Sequence, residues 1–299
     1  MEKQKSSRAV EGNFPGQLFK QALQIERPLQ LVGVINAAVA LLAKQAGFKA
    51  LYLSGAGVAN ACFGLPDLAL TQASEVAEEI KRITDVVDLP LLADADTGFG
   101  SVLNIARTIK SFEKAGAAGL HLEDQTWPKR CGHLEGKECV SVQAMCDRLK
   151  AAVDARYHPD FIIMARTDAF AGEGLASAID RACHYFEAGA DMIFAEALVD
   201  LKDYATFVSA VKNAPVLANL TEFGKTPLLN IEDLKEVGVA MALYPLSAFR
   251  AMNKIAKQVF EVIRKEGTQK SLIKSMQTRE ELYQLLDYYE YENALETRS

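Results

Sequence analysis

The chain has 299 residues, 49% of them hydrophobic and 24% charged, a balance that supports a large buried core. A formal charge of -6 argues against a generally basic, nucleic-acid-binding surface, and no apolar run approaches the ~18 residues of a membrane span. The five cysteines, Cys62, Cys131, Cys139, Cys146 and Cys183, form no CxxC pair, which argues against a disulfide framework and points to a reducing cytoplasm.

Residues 1–12 are polar and lack the apolar stretch of a secretory leader, so none is expected. Phe14 to Gln24 reads as a helix that closes the bottom of the core. Beyond it two punctuation marks alternate. A proline stands before an apolar run at Pro28, Pro90, Pro159 and Pro215, and a glycine ends a helical pattern before an apolar run at Gly47, Gly116, Gly189 and Gly238. Proline suits the start of a strand, where no ladder donor is needed. Glycine suits a helix C-terminus because it accepts positive φ.

These marks predict eight short strands, each followed by a helix-compatible segment such as Gln72 to Val86, Ser101 to Ala115, Ser141 to Tyr157, Gly174 to Ala188 and Ile231 to Val237. Short apolar strands alternating with helices make a parallel sheet, and eight such units match a closed (β/α)8 TIM-type barrel. No GxGxxG follows the first strand, which weakens a dinucleotide-binding alternative. Residues 1–299 are therefore expected to form one barrel domain, with 267–299 as a helical tail. Within it Arg279 to Tyr289 is amphipathic, and packs either on its own barrel or against another subunit.

In such a barrel the C-terminal strand ends carry the active site. Here they read Tyr52-Leu53-Ser54-Gly55-Ala56-Gly57, Asp94-Ala95-Asp96-Thr97-Gly98, Glu123-Asp124, Arg166-Thr167-Asp168, Glu196, Asn219-Leu220-Thr221 and Tyr244-Pro245-Leu246-Ser247, with Arg250 in the next helix. Asp94 and Asp96, two apart in extended chain, point the same way; with Glu123 they form a hard-oxygen site suited to Mg²⁺ or Mn²⁺. Ser54 to Gly57 reads either as an anion-binding nest or as an ordinary tight turn. Arg166, Arg250 and His133 suit carboxylates, so a small polyanion such as a di- or tricarboxylate is the expected partner.

After the fourth strand comes Lys129-Arg130-Cys131-Gly132-His133, a thiol beside two cations and an imidazole. Positive neighbours lower a thiol's pKa. Taken alone, the loop allows an acid or base, a nucleophile, a redox sensor or a metal ligand. Zinc is disfavoured, because Cys131 and His133 lack further ligands at finger-like spacing. Cys146 and Cys183 read as small helix hydrophobes, Cys62 as a loop residue without charged neighbours, His121 as a core or supporting residue, and Trp127 as packing for the cysteine loop.

The Lys129–His133 stretch resembles the K-[KR]-C-G-H signature of the isocitrate lyase branch of the isocitrate lyase/phosphoenolpyruvate mutase superfamily. Tyr52–Gly55, Asp94–Gly100, His121–Gln125, Ala165–Ala169 and Tyr244–Arg250 are similar to the same superfamily, so the likeness spans nearly the whole chain. The length resembles that of the branch's compact lyases. The resemblance implies a Mg²⁺-dependent carbon–carbon lyase, with Asp94, Asp96 and Glu123 holding the metal. It also implies a homotetramer with its last helix exchanged between subunits.

The catalytic set implied is Cys131 as the acid that quenches a carbanion, Tyr52 as candidate base, and His133, Arg166 and Glu196 around them. Substrate contacts are expected from Ser54, Gly55, Ala56, Asp94, Cys131, Gly132, His133, Arg166, Glu196, Asn219, Leu220, Thr221, Arg250 and Arg279. The alternatives are a lyase for another substituted malate or isocitrate, and a phosphonate or oxaloacetate-type enzyme of the superfamily.

Overall fold

All eight expected strands form in the computed structural model, which describes residues 14–130, 132, 136–211 and 213–297. Helix α1 (Pro15–Ile25) leads into β1 (Leu29–Gly33), α2 (Ala37–Gln45), β2 (Ala50–Leu53), α3 (Gly55–Phe63), α4 (Ala73–Thr84), β3 (Leu91–Asp94), α5 (Val102–Lys114) and β4 (Gly119–Glu123). The second half runs α6 (Val142–Ala155), β5 (Ile162–Thr167), α7 (Phe170–Glu173), α8 (Leu175–Glu187), β6 (Met192–Ala195), α9 (Leu201–Ala210), β7 (Val216–Asn219), α10 (Ile231–Glu236) and β8 (Met241–Tyr244). Helix α11 (Ser247–Glu266), a 3-10 turn (Lys270–Ser275), α12 (Arg279–Leu285) and α13 (Tyr288–Glu296) follow. The strands pair in parallel in chain order, and β1 closes on β8 with Leu29 opposite Met241 and Leu31 opposite Leu243. The result is a (β/α)8 barrel.

The pleat explains both the core and the site. Side chains two apart share a face, and in every strand but β4 one apolar face fills the barrel: Leu29 and Leu31, Ala50 and Tyr52, Leu92, Ile162 and Met164, Met192 and Phe194, Leu217, Met241 and Leu243. Phe19, Ala22 and Leu23 of α1 join this inner cluster and stop the barrel at its lower end, as expected of the Phe14–Gln24 helix. The other strand faces, including Leu51, Leu53, Leu120, Leu122, Ile163 and Ile193, pack against the helices. Helix starts are satisfied by side-chain caps: Asn36 accepts from the Val39 amide at 3.0 Å, and Asp200 from that of Asp203 at 2.8 Å. Two punctuating glycines show why that residue stands there, since Gly116 lies at φ 96° and Gly189 at φ 107°.

Four features differ from the expectation. Ser54 to Gly57 is the start of a helix rather than a free turn, with the Ser54 hydroxyl accepting from the Gly57 amide at 3.2 Å. Cys62 therefore lies in α3, and Glu79 and Arg82 are its charged neighbours. Trp127 does not pack its loop down; it is 71% exposed. The amphipathic tail breaks into two helices at Asp287, whose φ is 52°, and Tyr283, Tyr288 and Tyr289 pack on one another at the break. Helices α11, α12 and α13 carry no buried residue within this chain, and α11 exposes Met252, Ile255, Phe260 and Ile263. Among the described residues no helix is long and apolar enough to cross a membrane.

Candidate active site

In β2 to β7 the inward column turns polar at its upper end, with Ser54, Asp94, Glu123, Arg166, Glu196 and Asn219. Asp94 closes β3, and the chain then bends: Asp96 has φ 46°, and its amide donates to Asp94 Oδ1 at 3.0 Å. The expectation of an extended pair is thus corrected, because a tight turn sets the two carboxylates. They still converge, since a Cβ on Gly55 would lie 3.2 Å from Asp94 Oδ2 and 3.4 Å from Asp96 Oδ1. The Gly55 amide donates to Asp94 Oδ2 at 3.0 Å, so this part of the supposed nest already serves the protein's own carboxylate. Burial pushes Asp94 up, yet His121, Lys129 and Arg166 outweigh it and hold the group at about 2. His121 is itself driven down to about 4 by burial. At neutral pH it is an uncharged ring, 3.4 Å from Asp94 Oδ1 and 2.9 Å from the Tyr52 hydroxyl.

Glu123 ends β4 directly opposite Arg166 of β5. Burial pushes its carboxyl well above the usual range, and its Oε1 has no hydrogen-bond partner among the described residues. Asp96 is likewise raised by burial, to about 6, against the opposing pull of Lys129. Among the described residues no three His, Cys, Asp or Glu side chains are already drawn into a metal cage. The donors instead suit a hard divalent ion that takes one or two carboxylates directly and keeps several waters. Two destabilised buried acids and an unpartnered oxygen are what such an ion would relieve.

Arg166 is the hub of the opposite wall. Its Nε stands 2.9 Å from Asp168 Oδ2 and 3.3 Å from Glu123 Oε2, and its Nη2 stands 3.0 Å from Glu196 Oε2. Burial disfavours its charge, but Asp168, Glu196 and Glu123 reverse this and raise it well above its ordinary value. The guanidinium also lies 4.9 Å over the Phe194 ring. Asn219 at the end of β7 donates to Glu196 at 3.3 Å. Tyr52 donates to Asp94 Oδ2 at 3.4 Å; burial, with Asp94 next, raises its phenol well above 10.

The cysteine loop is an excursion with a closed neck. Gln125 and Cys139 form an antiparallel bridge, the Thr126 amide donates to the Glu138 carbonyl at 2.8 Å, and Val140 donates to Asp124 at 2.8 Å. Inside the neck the Gln125 amide side chain exchanges two hydrogen bonds with the Arg130 backbone, each 2.9 Å. Cys131 and His133 lie outside the described residues. Gly132 between them is buried against Arg166 and Glu196.

A cavity of about 270 Å³ opens above these groups. It brings together Tyr52, Ser54, Ala56, Asp94, Gly132, Arg166, Glu196, Asn219, Thr221 and Arg250 of the expected set. Asp96 and Glu123 are buried just outside its lining. Three expected contacts are not among its lining residues, and one of them is Gly55, whose amide is turned onto Asp94. The Leu220 side chain packs in the layer between sheet and helices, because it has the opposite strand parity to Asn219 and Thr221. Arg279 begins α12 and is not among the lining residues of its own chain.

The structure also supplies groups that sequence reasoning passed over. Lys129, buried, reaches Asp96 Oδ1 at 2.8 Å and hydrogen-bonds Asp67. Lys137 hydrogen-bonds the Gly132 carbonyl and stands 2.8 Å from Asp168. Glu222 hydrogen-bonds Ser247 and lies 3.6 Å from Arg250. Lys129 is part of the signature itself, but single lysines and glutamates in loops carry no periodic signal.

Residues 19–264 match the model of the phosphoenolpyruvate phosphomutase family. The chain is 59% identical over 283 residues to the 2-methylisocitrate lyase of Escherichia coli (strain K12), covering 94% of this chain and 95% of that protein. Among solved structures, a 2,3-dimethylmalate lyase superposes with a TM-score of 0.87 at 30% identity, covering 95% of this chain and 96% of that one. A phosphonopyruvate hydrolase in complex with oxalate and Mg²⁺ superposes at 0.84 with 30% identity, covering 96% and 99%. With that identity and coverage, the chain belongs to the phosphoenolpyruvate phosphomutase family and sits in it with the 2-methylisocitrate lyases.

Proposed function

We propose that this protein cleaves 2-methylisocitrate to pyruvate and succinate, the carbon–carbon lyase step of propionate breakdown by the methylcitrate cycle. The observation that carries the reading is the make-up of one small cavity. Cations (the buried Lys129 and Arg166 and the more exposed Arg250) and buried acids surround it, and Phe194 and Leu243 add an apolar wall for a methyl group. A di- or tricarboxylate finds opposite charges there.

Asp94, Asp96 and Glu123 are the residues to hold Mg²⁺, directly or through waters, with Mn²⁺ as a substitute. When bound, the ion supplies a Lewis acid that polarises the substrate's hydroxyl and carboxylate oxygens. Ser54, Gly55 and Ala56 at the start of α3 face one carboxylate. Gly132, His133, Arg166, Asn219, Thr221 and Arg250 hold the others, with the Leu220 backbone between. Tyr52 takes the hydroxyl proton, a role that needs added positive charge beside it, since its own surroundings hold the phenol protonated. The carbon–carbon bond then breaks, its electron pair stays on the succinate carbon, and the Cys131 thiol delivers the proton that quenches it. Arg166, His133 and Glu196 keep these groups in place.

We read the assembly as a cytoplasmic homotetramer. The exposed apolar side of α11 and the tail supports exchange of the last helix between copies, and Arg279 then serves a site other than its own chain's cavity.

The test is a substrate panel. With Mg²⁺ present, 2-methylisocitrate should release a 2-oxo acid far faster than isocitrate or 2,3-dimethylmalate. A preference for isocitrate, or no cleavage of any of the three, overturns the reading. Cys131→Ser should lower turnover by roughly 10²–10⁴-fold, the scale of a lost general acid. Its circular dichroism and melting temperature should match those of the parent.

A further inference from the structure

Two lysines flank the cysteine loop, and each is tied to an aspartate at the barrel mouth. Lys129 goes to Asp67 and Asp96 on the side of the acid cluster. Lys137 goes the other way. Its side chain is 4% exposed, its ammonium donates to the Gly132 carbonyl, and it lies 2.8 Å from Asp168 Oδ1. That same oxygen accepts from Arg166 Nη2 at 3.1 Å, while Asp168 Oδ2 accepts from Arg166 Nε at 2.9 Å. Asp168 is fixed in turn by its own amide, which donates to Asp124 Oδ1 at 2.9 Å. One carboxylate oxygen therefore serves both the arginine of the cavity and the lysine that grips the loop.

We infer that Lys137 is a positioning residue: through Asp168 it registers the loop carrying Cys131 and Gly132 against Arg166. A buried ammonium shared between a carbonyl and a carboxylate is a strong, charge-assisted link. The loop has a second footing in Gly132, seated on Arg166 and Glu196 so closely that a Cβ would lie 2.3 Å from Arg166 Nη2. The Gln125–Cys139 neck fixes where the loop leaves and returns, but not how Gly132 is seated in the cavity wall. That seat is set by Lys137 through the Gly132 carbonyl. Without its ammonium the Gly132 carbonyl loses its donor, and Asp168 keeps Arg166 but no longer reaches the loop.

The inference rests on the lyase reading for its activity arm and is independent of it for its structural arm. Lys137→Met and Lys137→Arg are compared with the parent in three measurements: kcat and KM for 2-methylisocitrate with Mg²⁺, melting temperature, and the rate at which iodoacetamide labels Cys131, read by peptide mass spectrometry. Lys137→Met should lower kcat roughly 10–100-fold, the worth of one charge-assisted hydrogen bond, with a smaller change in KM. It should also label Cys131 severalfold faster than the parent while the other four cysteines keep their rates. Lys137→Arg, which retains donors for both partners, should recover a large part of both effects.

Parental kcat and parental labelling in Lys137→Met overturn the inference. So does a loss of activity that Lys137→Arg fails to recover while Cys131 labelling stays parental. Should Lys137→Met not fold, Lys137→Arg decides alone: labelling and turnover near the parent's support the link, and collapse of both overturns it. If the parent itself cleaves none of the substrates, the lyase reading fails, and the labelling arm still judges the role of Lys137.

Discussion

A methyl group on Gly132 would stand 2.3 Å from Arg166 Nη2 and 2.8 Å from the Cδ and Cγ atoms of Glu196. Arg166 cannot retreat, because Asp168, Glu123 and Glu196 hold it on three sides. Gly132→Ala should therefore lift the loop instead of bending the arginine. Turnover should fall roughly tenfold or more, the scale of about 1–3 kcal/mol of overpacking, with little change in melting temperature. Steady-state kinetics with parallel thermal melts check this, and parental turnover would show that the loop works from elsewhere.

Residues of this kind divide by how they read in the sequence. Asp94, Glu123, Arg166, Glu196 and Asn219 were legible because each ends an apolar strand, where a polar side chain needs a reason. Lys137 and Asp67 were not, because their partners lie 31 and 62 residues away and only the closed barrel brings them near.

At the scale of elements, α1 has a task out of proportion to its length. Phe19 is fully buried and packs with the inner faces of the strands, so it is both a helix residue and the floor of the barrel. Phe19→Ala should destabilise the fold by about 3–5 kcal/mol, measured by chemical denaturation. Because the floor lies at the far end from the cavity, KM should hold in the fraction that remains folded. A loss below 1 kcal/mol would mean that the lower end can collapse around the gap.

The strands and most helices were readable because proline and glycine mark their edges for reasons of backbone geometry. Helix α3 was not, since Ser54-Gly55-Ala56-Gly57 has poor helix propensity, and it is the Ser54 cap together with burial of Val58 and Ala59 that makes it helical. The break at Asp287 was hidden for a related reason: nothing in the local pattern announces a left-handed residue inside an amphipathic run.

For the molecule as a whole, the uneven distribution of apolar surface matters most. Most helices around the barrel bury one face, while α11 leaves Met252, Ile255, Phe260 and Ile263 bare. Exposed apolar stripes of this size mark association surfaces. Under the tetramer reading, Phe260→Glu should shift the protein to smaller species in size-exclusion chromatography with light scattering. A tetramer that persists unchanged would place the subunit contacts elsewhere. Activity should fall with the assembly, because Arg279 would lose its place beside a neighbouring cavity.

The closed neck at Gln125 and Cys139 has one more implication. Because the chain leaves and re-enters the barrel at adjacent points, an insertion or deletion between Thr126 and Glu138 should leave β4 and α6 in place, provided that Lys129 and Lys137 keep their aspartates.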